Sequence, residues 1–185
     1  MFVAASALAD APDALVRAGY VKLSALYQQP ASTAREAQID AELGNMIDYD
    51  AVAQRCFAGD WSTLNATQQT EATGLVRQLV NRRYKAKLGD IARFNLVVGA
   101  VGAEGADALV HTTATNKTNA RETVQLDYVV SRTAPFKIVD IVIETAHITT
   151  GYRGPFHGWL TTPGQGYPYL VQSIRATLAK PVPAH

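Results

Sequence analysis

Cysteine is nearly missing from this chain. Cys56 is the single one in 185 residues, which excludes an intramolecular disulfide and any metal cluster built from cysteine alone. Excess charge of either sign is missing too. With 17 Lys and Arg against 16 Asp and Glu the formal net charge is +1, so nothing global favours a polyanion, and nucleic acid is not an expected partner. No apolar run is long enough to span a bilayer, and there is no internal repeat or low-complexity tract. A composition of 48% hydrophobic and 18% charged residues is that of an ordinary globular chain, and one compact domain over residues 10–185 is the expectation.

Catalytic signatures are absent as well. There is no G-x-S-x-G elbow and no H-E-x-x-H, and His111, His147, His157 and His185 show no paired helical spacing for a metal. Gly99-Ala100-Val101-Gly102-Ala103-Glu104-Gly105 is spaced G-x-x-G-x-x-G, with strand-like sequence after it where a dinucleotide loop needs a helix. It reads as a hairpin turn. Gly164-Gln165-Gly166 between Pro163 and Pro168 reads as a break between two terminal helices.

What is present divides by period. The first half is helical, at about 12–90. Pro12 suits a helix start ahead of Leu15, Ala18, Leu23 and Leu26, with an end before Gln29-Pro30. Thr33-Ala34-Arg35-Glu36 has capping-box spacing for a short second helix. Asp48 is placed to cap Tyr49 to Phe57, which Gly59 would close. Asn65 with Gln68 would open a long helix carrying Leu75, Val76, Leu79, Val80 and Leu88, up to Gly89.

Beyond Gly89 the period becomes two, at about 93–146. Strands are expected at 93–101, 106–115, 122–132 and 136–145, joined by short connections that favour an antiparallel meander. From Phe136 to Ile143 apolar residues occupy both alternating sets, with Phe136, Ile138 and Val142 on one side and Val139, Ile141 and Ile143 on the other, interrupted by Asp140. Such a strand is covered on both faces. Helix returns at about 150–180, so the fold class is α+β: a helical layer on a curved, mainly antiparallel four-stranded sheet, enclosing an apolar pocket.

Three features carry two readings each. Phe2 to Ala9, with Ala7-Leu8-Ala9 as a small-residue cleavage site, is either the remnant of a secretory signal over residues 1–9 or an alanine-rich helix start. Asp127, Asp140 and Glu144 would supply a general base if burial raised a pKa, with Tyr128 as an oxyanion donor, or else serve the sheet structurally. Arg82, Arg83, Lys85 and Lys87, with Arg77 nearby, form either a docking patch or a solvated helix face.

Two blocks carry a family resemblance. Ile47-Asp48-Tyr49-Asp50-Ala51-Val52-Ala53-Gln54-Arg55, then Gly59-Asp60-Trp61, Gln68, Leu79 and Tyr84, resembles the helical half of the MlaC or toluene-tolerance family of periplasmic phospholipid carriers. Phe136-Lys137-Ile138-Val139-Asp140-Ile141-Val142-Ile143-Glu144, then Tyr152-Arg153 and Phe156, resembles that family's second motif. Ala72 and Val76 depart from it, standing where the family has phenylalanines, and Gly151 replaces an Asn. The resemblance implies a sheet like that of the nuclear-transport-factor-like proteins and a monomeric periplasmic shuttle without catalytic residues, metal or cofactor. Its cargo would be phospholipid, and its partners would be membrane-anchored lipid-transfer proteins of an ABC transporter system and an outer-membrane lipoprotein complex. Val76, Leu79, Val80, Tyr84, Phe94, Leu96, Leu126, Tyr128, Ile138, Ile141, Ile148 and Tyr152 are then the candidate pocket lining, with Tyr152 and Arg153 at its rim. Two alternatives stay open: a small pocket enzyme with an Asp or Glu base, and a carrier of another hydrophobic molecule such as a hopanoid.

Overall fold

The computed structural model describes residues 11–88 and 93–181. The candidate signal segment at 1–9 lies outside them. The fold is α+β. Its elements run α1 (Pro12–Tyr27), α2 (Thr33–Met46), α3 (Tyr49–Phe57), a 3-10 helix (Ala58–Thr63), α4 (Ala66–Leu88), β1 (Phe94–Glu104), β2 (Asp107–Asn116), β3 (Thr123–Val130), β4 (Ile138–Ile143), β5 (Ala146–His147), α5 (Ile148–Thr161) and α6 (Tyr167–Ala179). Strand order is β1-β2-β3-β4-β5. The two-residue β5 makes five strands where four were expected; it is too short for a period-two signal.

The chain divides into two compact units. The first holds everything to Asp48 together with Gly89–Thr145, and the second holds Tyr49–Leu88 with the residues from Ala146 onward.

In the first unit α1 starts at Pro12, whose missing N–H costs nothing in a first turn. Ser32 rather than Thr33 caps α2, its side chain accepting from the Arg35 N–H at 3.1 Å, and the helix runs for 14 residues rather than being short. Val16 and Leu23 of α1 and Ile39, Leu43 and Met46 of α2 are buried. Gly19 leaves room for Met46, because a Cβ there would stand 2.1 Å from the Met46 Cε.

α1 also finishes the free edge of the sheet. The Tyr20 hydroxyl donates to the Phe94 carbonyl at 3.0 Å and accepts the Leu96 N–H at 3.2 Å, while Arg17 Nη2 donates to the Val98 carbonyl at 2.9 Å. Edge strands left bare invite pairing with other chains. At the other side of the sheet Ile47 forms a parallel bridge with Ile138, and the Asp48 N–H donates to the Ile138 carbonyl at 2.9 Å.

The glycine-rich segment Gly99 to Gly105 is mostly strand rather than a turn. β1 continues to Glu104, and its register against β2 shifts between Val98 and Val101. The hairpin is only Gly105-Ala106, between the paired Glu104 and Asp107. Gly105 has φ +59° and is the one positive-φ residue of that loop, as a type II′ turn requires.

In the second unit Asn65 and Gln68 form a reciprocal capping box. The Gln68 N–H donates to Asn65 Oδ1 and the Asn65 N–H to Gln68 Oε1, each at 3.0 Å. α3 ends differently from expectation. Ala58, not Gly59, takes the positive φ of +49°, and the chain continues into the 3-10 helix instead of closing at the glycine. α6 begins after Gly164 and Gly166, at φ +82° and +78°, so these two do separate the terminal helices.

α5 keeps its helix through Pro155 and through three glycines, Gly151, Gly154 and Gly158. Relative to alanine these residues cost an exposed helix roughly 1 kcal/mol per glycine and about 3 kcal/mol for an interior proline.

Replacing Asn65 by alanine removes one half of the capping box and orphans the Gln68 N–H. The expected loss is about 1 kcal/mol of stability, read as a lower denaturant midpoint at unchanged slope.

Candidate functional site

The register sorts the sheet of the first unit into two unlike faces. Directly paired residues share a face, and the pairs Phe94 with Asn116, Leu96 with Ala114, Ala114 with Val124, Val110 with Tyr128, Leu126 with Ile143, Tyr128 with Ile141 and Val130 with Ile138 run across the strands. The strand residues expected to line a pocket, Phe94, Leu96, Leu126, Tyr128, Ile138 and Ile141, therefore all lie on one face. That face is not uniformly filled. Val110, Tyr128, Val130, Ile138 and Ile141 are buried, whereas Phe94, Leu96, Val124 and Leu126 at the other end are half-buried. The result is an apolar wall whose open end keeps solvent access.

One assignment in β4 changes. The pairing shifts between Val129 and Val130, so one extra residue of β4 enters at Val139, and Ile138 joins the face of Ile141 and Ile143 rather than that of Val142. β4 is buried on both faces, as its sequence predicts: Ile138, Val139, Asp140, Ile141 and Val142 are all inside.

The opposite face carries the carboxylates. Asp127 pairs with Val142 and Asp140 with Val129, so neither can present a base beside Tyr128. Asp127 is also fully engaged. It accepts from the Thr112 N–H, from Gln125 Nε2 and from His111 Nδ1, each at 2.9 Å. His111 packs across from β1, where a Cβ on Gly99 or Gly102 would meet an atom of His111 at 3.5 Å, an ordinary van der Waals contact. Asp140 Oδ1 accepts the Ile141 N–H at 2.8 Å, and Glu144 sits in the turn after β4 at φ +60°. The His111, Gln125 and Asp127 cluster did not emerge from the sequence. Its signal was present as polar residues at 111, 113, 125 and 127 on alternate positions of neighbouring strands, but pairing them needs the register.

In the second unit Val76, Leu79, Val80 and Tyr84 form a buried stripe on α4 with Ala72 and Leu75, and Ile148 of α5 is buried. The departures from the family pattern, Ala72 and Val76, are both completely inside. Tyr152 is half-buried and stacks on Phe156 at 5.5 Å between ring centroids. Phe156 in turn meets Phe57 at 4.8 Å and Trp159 at 5.9 Å, and Phe57 meets Trp61 at 5.6 Å. This aromatic series fixes α5 against α3 and the 3-10 helix. Burial raises the Tyr152 pKa against the opposing pull of Arg83, whose side chain hydrogen-bonds it.

The basic cluster is dispersed over separate tasks. Arg82 donates to the Thr177 and Lys180 carbonyls and so finishes the C-terminus of α6. Arg77 lies over the Tyr49 ring at 5.0 Å, while the Tyr49 hydroxyl donates to Asn81 Oδ1. Lys85 is half-buried, and the Lys87 side chain lies outside the described residues. Arg153 Nε donates to the Arg55 carbonyl at 2.8 Å, a tie between α5 and α3.

Among the described residues no group of three His, Cys, Asp or Glu is placed to hold a metal ion, and no helix is long and apolar enough to cross a membrane. The model of the MlaC protein family matches residues 21–176. The chain belongs to the MlaC family. A search of curated proteins gave no match. Among solved structures, the phospholipid-binding protein from Ralstonia solanacearum, determined in complex with a phospholipid, is similar at a TM-score of 0.77 and 23% identity, over 91% of this chain and 99% of that one. At that identity the likeness establishes a shared fold.

Two predictions follow from these environments. Asp127→Ala strands the buried Thr112 N–H, while the exposed Gln125 and the partly exposed His111 can turn to water, and should cost about 1–3 kcal/mol. Asp127→Asn, which keeps an acceptor for Thr112, should cost clearly less; equal losses in chemical denaturation would contradict the network. The second concerns alkaline pH. Burial, with the charge of Glu36, pushes the Tyr27 pKa up to about 12 from 10.0, and burial with Glu71 raises that of Tyr167. Both phenols stay protonated in the folded chain where the unfolded chain ionises, so stability is complete below about pH 10 and falls as pH rises through 10 to 12. Tyr27→Phe should flatten that fall in pH-dependent unfolding.

Proposed function

We propose that this chain is a carrier that binds phospholipid through its acyl chains and moves it across the periplasm. The observation that carries the reading is the half-open apolar wall of Phe94, Leu96, Val124 and Leu126 on a sheet face from which the register removes Asp127 and Asp140. Membership of the MlaC family and a similar structure that binds phospholipid support the same reading. Pocket-lining roles for Val76, Leu79, Val80, Tyr84, Tyr128, Ile138, Ile141, Ile148 and Tyr152 are part of this proposal.

The physical need for such a protein is easily sized. About thirty methylenes in two acyl chains, at roughly 0.8 kcal/mol each, amount to more than 20 kcal/mol of transfer free energy. Free lipid does not cross water at a useful rate. A carrier has to offer an apolar surface about as favourable as the membrane, so that loading and release both proceed, and such a surface requires few polar contacts. Loading and unloading partners of this class are membrane-anchored lipid-transfer proteins of an ABC transporter system and an outer-membrane lipoprotein complex, served by a monomeric shuttle that needs no cofactor. The enzyme reading loses support from geometry: Asp127 is saturated with donors, and both buried strand carboxylates lie on the face away from Tyr128.

Organic extraction of the purified protein followed by lipid mass spectrometry should yield stoichiometric phospholipid. Protein that is lipid-free, and that takes none up from phospholipid vesicles, would overturn the proposal. Leu126→Trp should reduce occupancy several-fold at near-native stability, because the indole fills space over the half-open end of the wall; unchanged occupancy would count against this surface as the contact.

A further inference from the structure

The net charge of +1 conceals an uneven division. The second, helical unit carries nine Lys and Arg against three Asp and Glu, net +6, and the first unit eight against thirteen, net −5. Within the helical unit the acids are themselves confined. Asp50 lies in the first turn of α3, Asp60 holds His157 Nδ1 at 2.9 Å, and Glu71 accepts from Arg175 Nη2 at 3.0 Å and from the Tyr167 hydroxyl at 3.2 Å. From Ala72 to Leu88 and from Ala146 to His185 there is no carboxylate side chain at all.

Cations gather at one end of this unit. Arg82 donates to the Thr177 and Lys180 carbonyls, which brings the second half of α4 to the C-terminus of α6. Burial holds the Tyr152 phenol protonated against the pull of Arg83, which hydrogen-bonds it, and of Arg82 close by. Arg153, next to Tyr152 on α5, donates to the Arg55 carbonyl. Arg83, Arg153 and Lys180 are exposed and Arg82 is half-buried. A helix C-terminus carries about half a negative charge, so the ends of α4 and α6 together offset about one of these four cations.

The internal bonds occupy donors and leave the charge. Among the described residues the partners of Arg82, Arg83 and Arg153 are carbonyl oxygens and a neutral phenol. A protein partner whose carboxylates need paired guanidinium donors would have to break these bonds. A surface of smeared negative charge breaks none, because it acts on the charge itself.

We propose that this end of the helical unit, with Arg82, Arg83, Arg153 and Lys180, docks the protein onto a phospholipid bilayer that contains anionic lipid. The docking stands apart from the carrier reading above; its use, bringing a lipid-binding protein to the surface where lipid is exchanged, rests on that reading. Each basic residue near such a surface strengthens binding about five-fold, and the attraction fades within a Debye length, so the docking is reversible and sensitive to salt.

The test sediments the full chain with vesicles of phosphatidylcholine alone and of phosphatidylcholine and phosphatidylglycerol in equal parts. Binding should be confined to the anionic vesicles at an ionic strength of about 0.01 M and be lost near about 1 M. Arg83→Gln/Lys180→Gln should weaken it on the order of 20-fold, whereas Arg83→Lys, which keeps the charge, should hold it near the wild-type value. Arg175→Gln removes a positive charge beside Glu71 and should weaken binding far less than Lys180→Gln does. Equal loss in those two single variants would overturn the placement at this end. Equal binding to both kinds of vesicle would overturn the proposal, as would binding to neither, the outcome expected if an acidic protein were the partner. A chain that docks on anionic vesicles yet yields no phospholipid on extraction, and takes none up, would sink the carrier reading and leave the docking in place.

Discussion

Two-residue alternation along paired strands is the constraint on which the rest of the sheet depends. It sends Phe94, Leu96, Leu126 and Tyr128 to one face and His111, Gln125, Asp127 and Asp140 to the other, and no side-chain choice can undo that without a change of register. The separation explains how strands so rich in potential general bases present an apolar surface. Burying an unpaired carboxylate among apolar groups is expensive. Asp127 avoids the cost on its own side of the sheet, where a backbone N–H, an amide and an imidazole surround it.

The helical unit solves a different problem with different means. Its helices must be held where their ends carry unsatisfied polar groups, and each end has a specific partner. Asn65 and Gln68 close the start of α4, and Arg82 reaches the last carbonyls of α6. The aromatic series from Trp61 through Phe57, Phe156 and Trp159 supplies the apolar part. An arginine cluster that looks like a single charged face in one dimension is thereby divided, with Arg77 on a tyrosine ring, Arg82 on a helix end and Arg83 on Tyr152. Docking through that cluster would have to compete with these internal bonds.

The sequence was most legible where a signal is local. The start of α1 at Pro12, the Asn65 and Gln68 box and the doubly buried β4 all follow from residues a few positions apart. It was least legible where geometry joins distant positions. Thr33 and Ser32 are both good caps, and only the helix phase selects Ser32. Gly59 is the expected αL residue, yet the turn into the 3-10 helix falls one residue earlier and puts the positive φ on Ala58. The glycines of 99–105 resemble a loop because glycine is common in turns, while all but the last lie in a paired strand. The apolar residues of the candidate site were readable as a periodic set; that the strand members share one face, and that their exposure is graded along it, required the register.

This gradation bears on how a carrier differs from a packed core made of the same residues. A core maximises contact, so an apolar side chain left half-buried forfeits dispersion and hydrophobic gain without return. Val110, Tyr128 and Ile138 follow that rule, whereas Phe94, Leu96, Val124 and Leu126 do not. The residues that alternate with them, Asn95, Val97, Thr123 and Gln125, are exposed, so this end of the sheet is open to solvent on its other face and only partly covered on the apolar one. An apolar surface held open by register stays available to a flexible apolar ligand without the protein having to unfold to expose it. Its binding strength then scales with the length of acyl chain laid against it, and the balance between holding and releasing lipid is set by area, not by a few strong polar bonds.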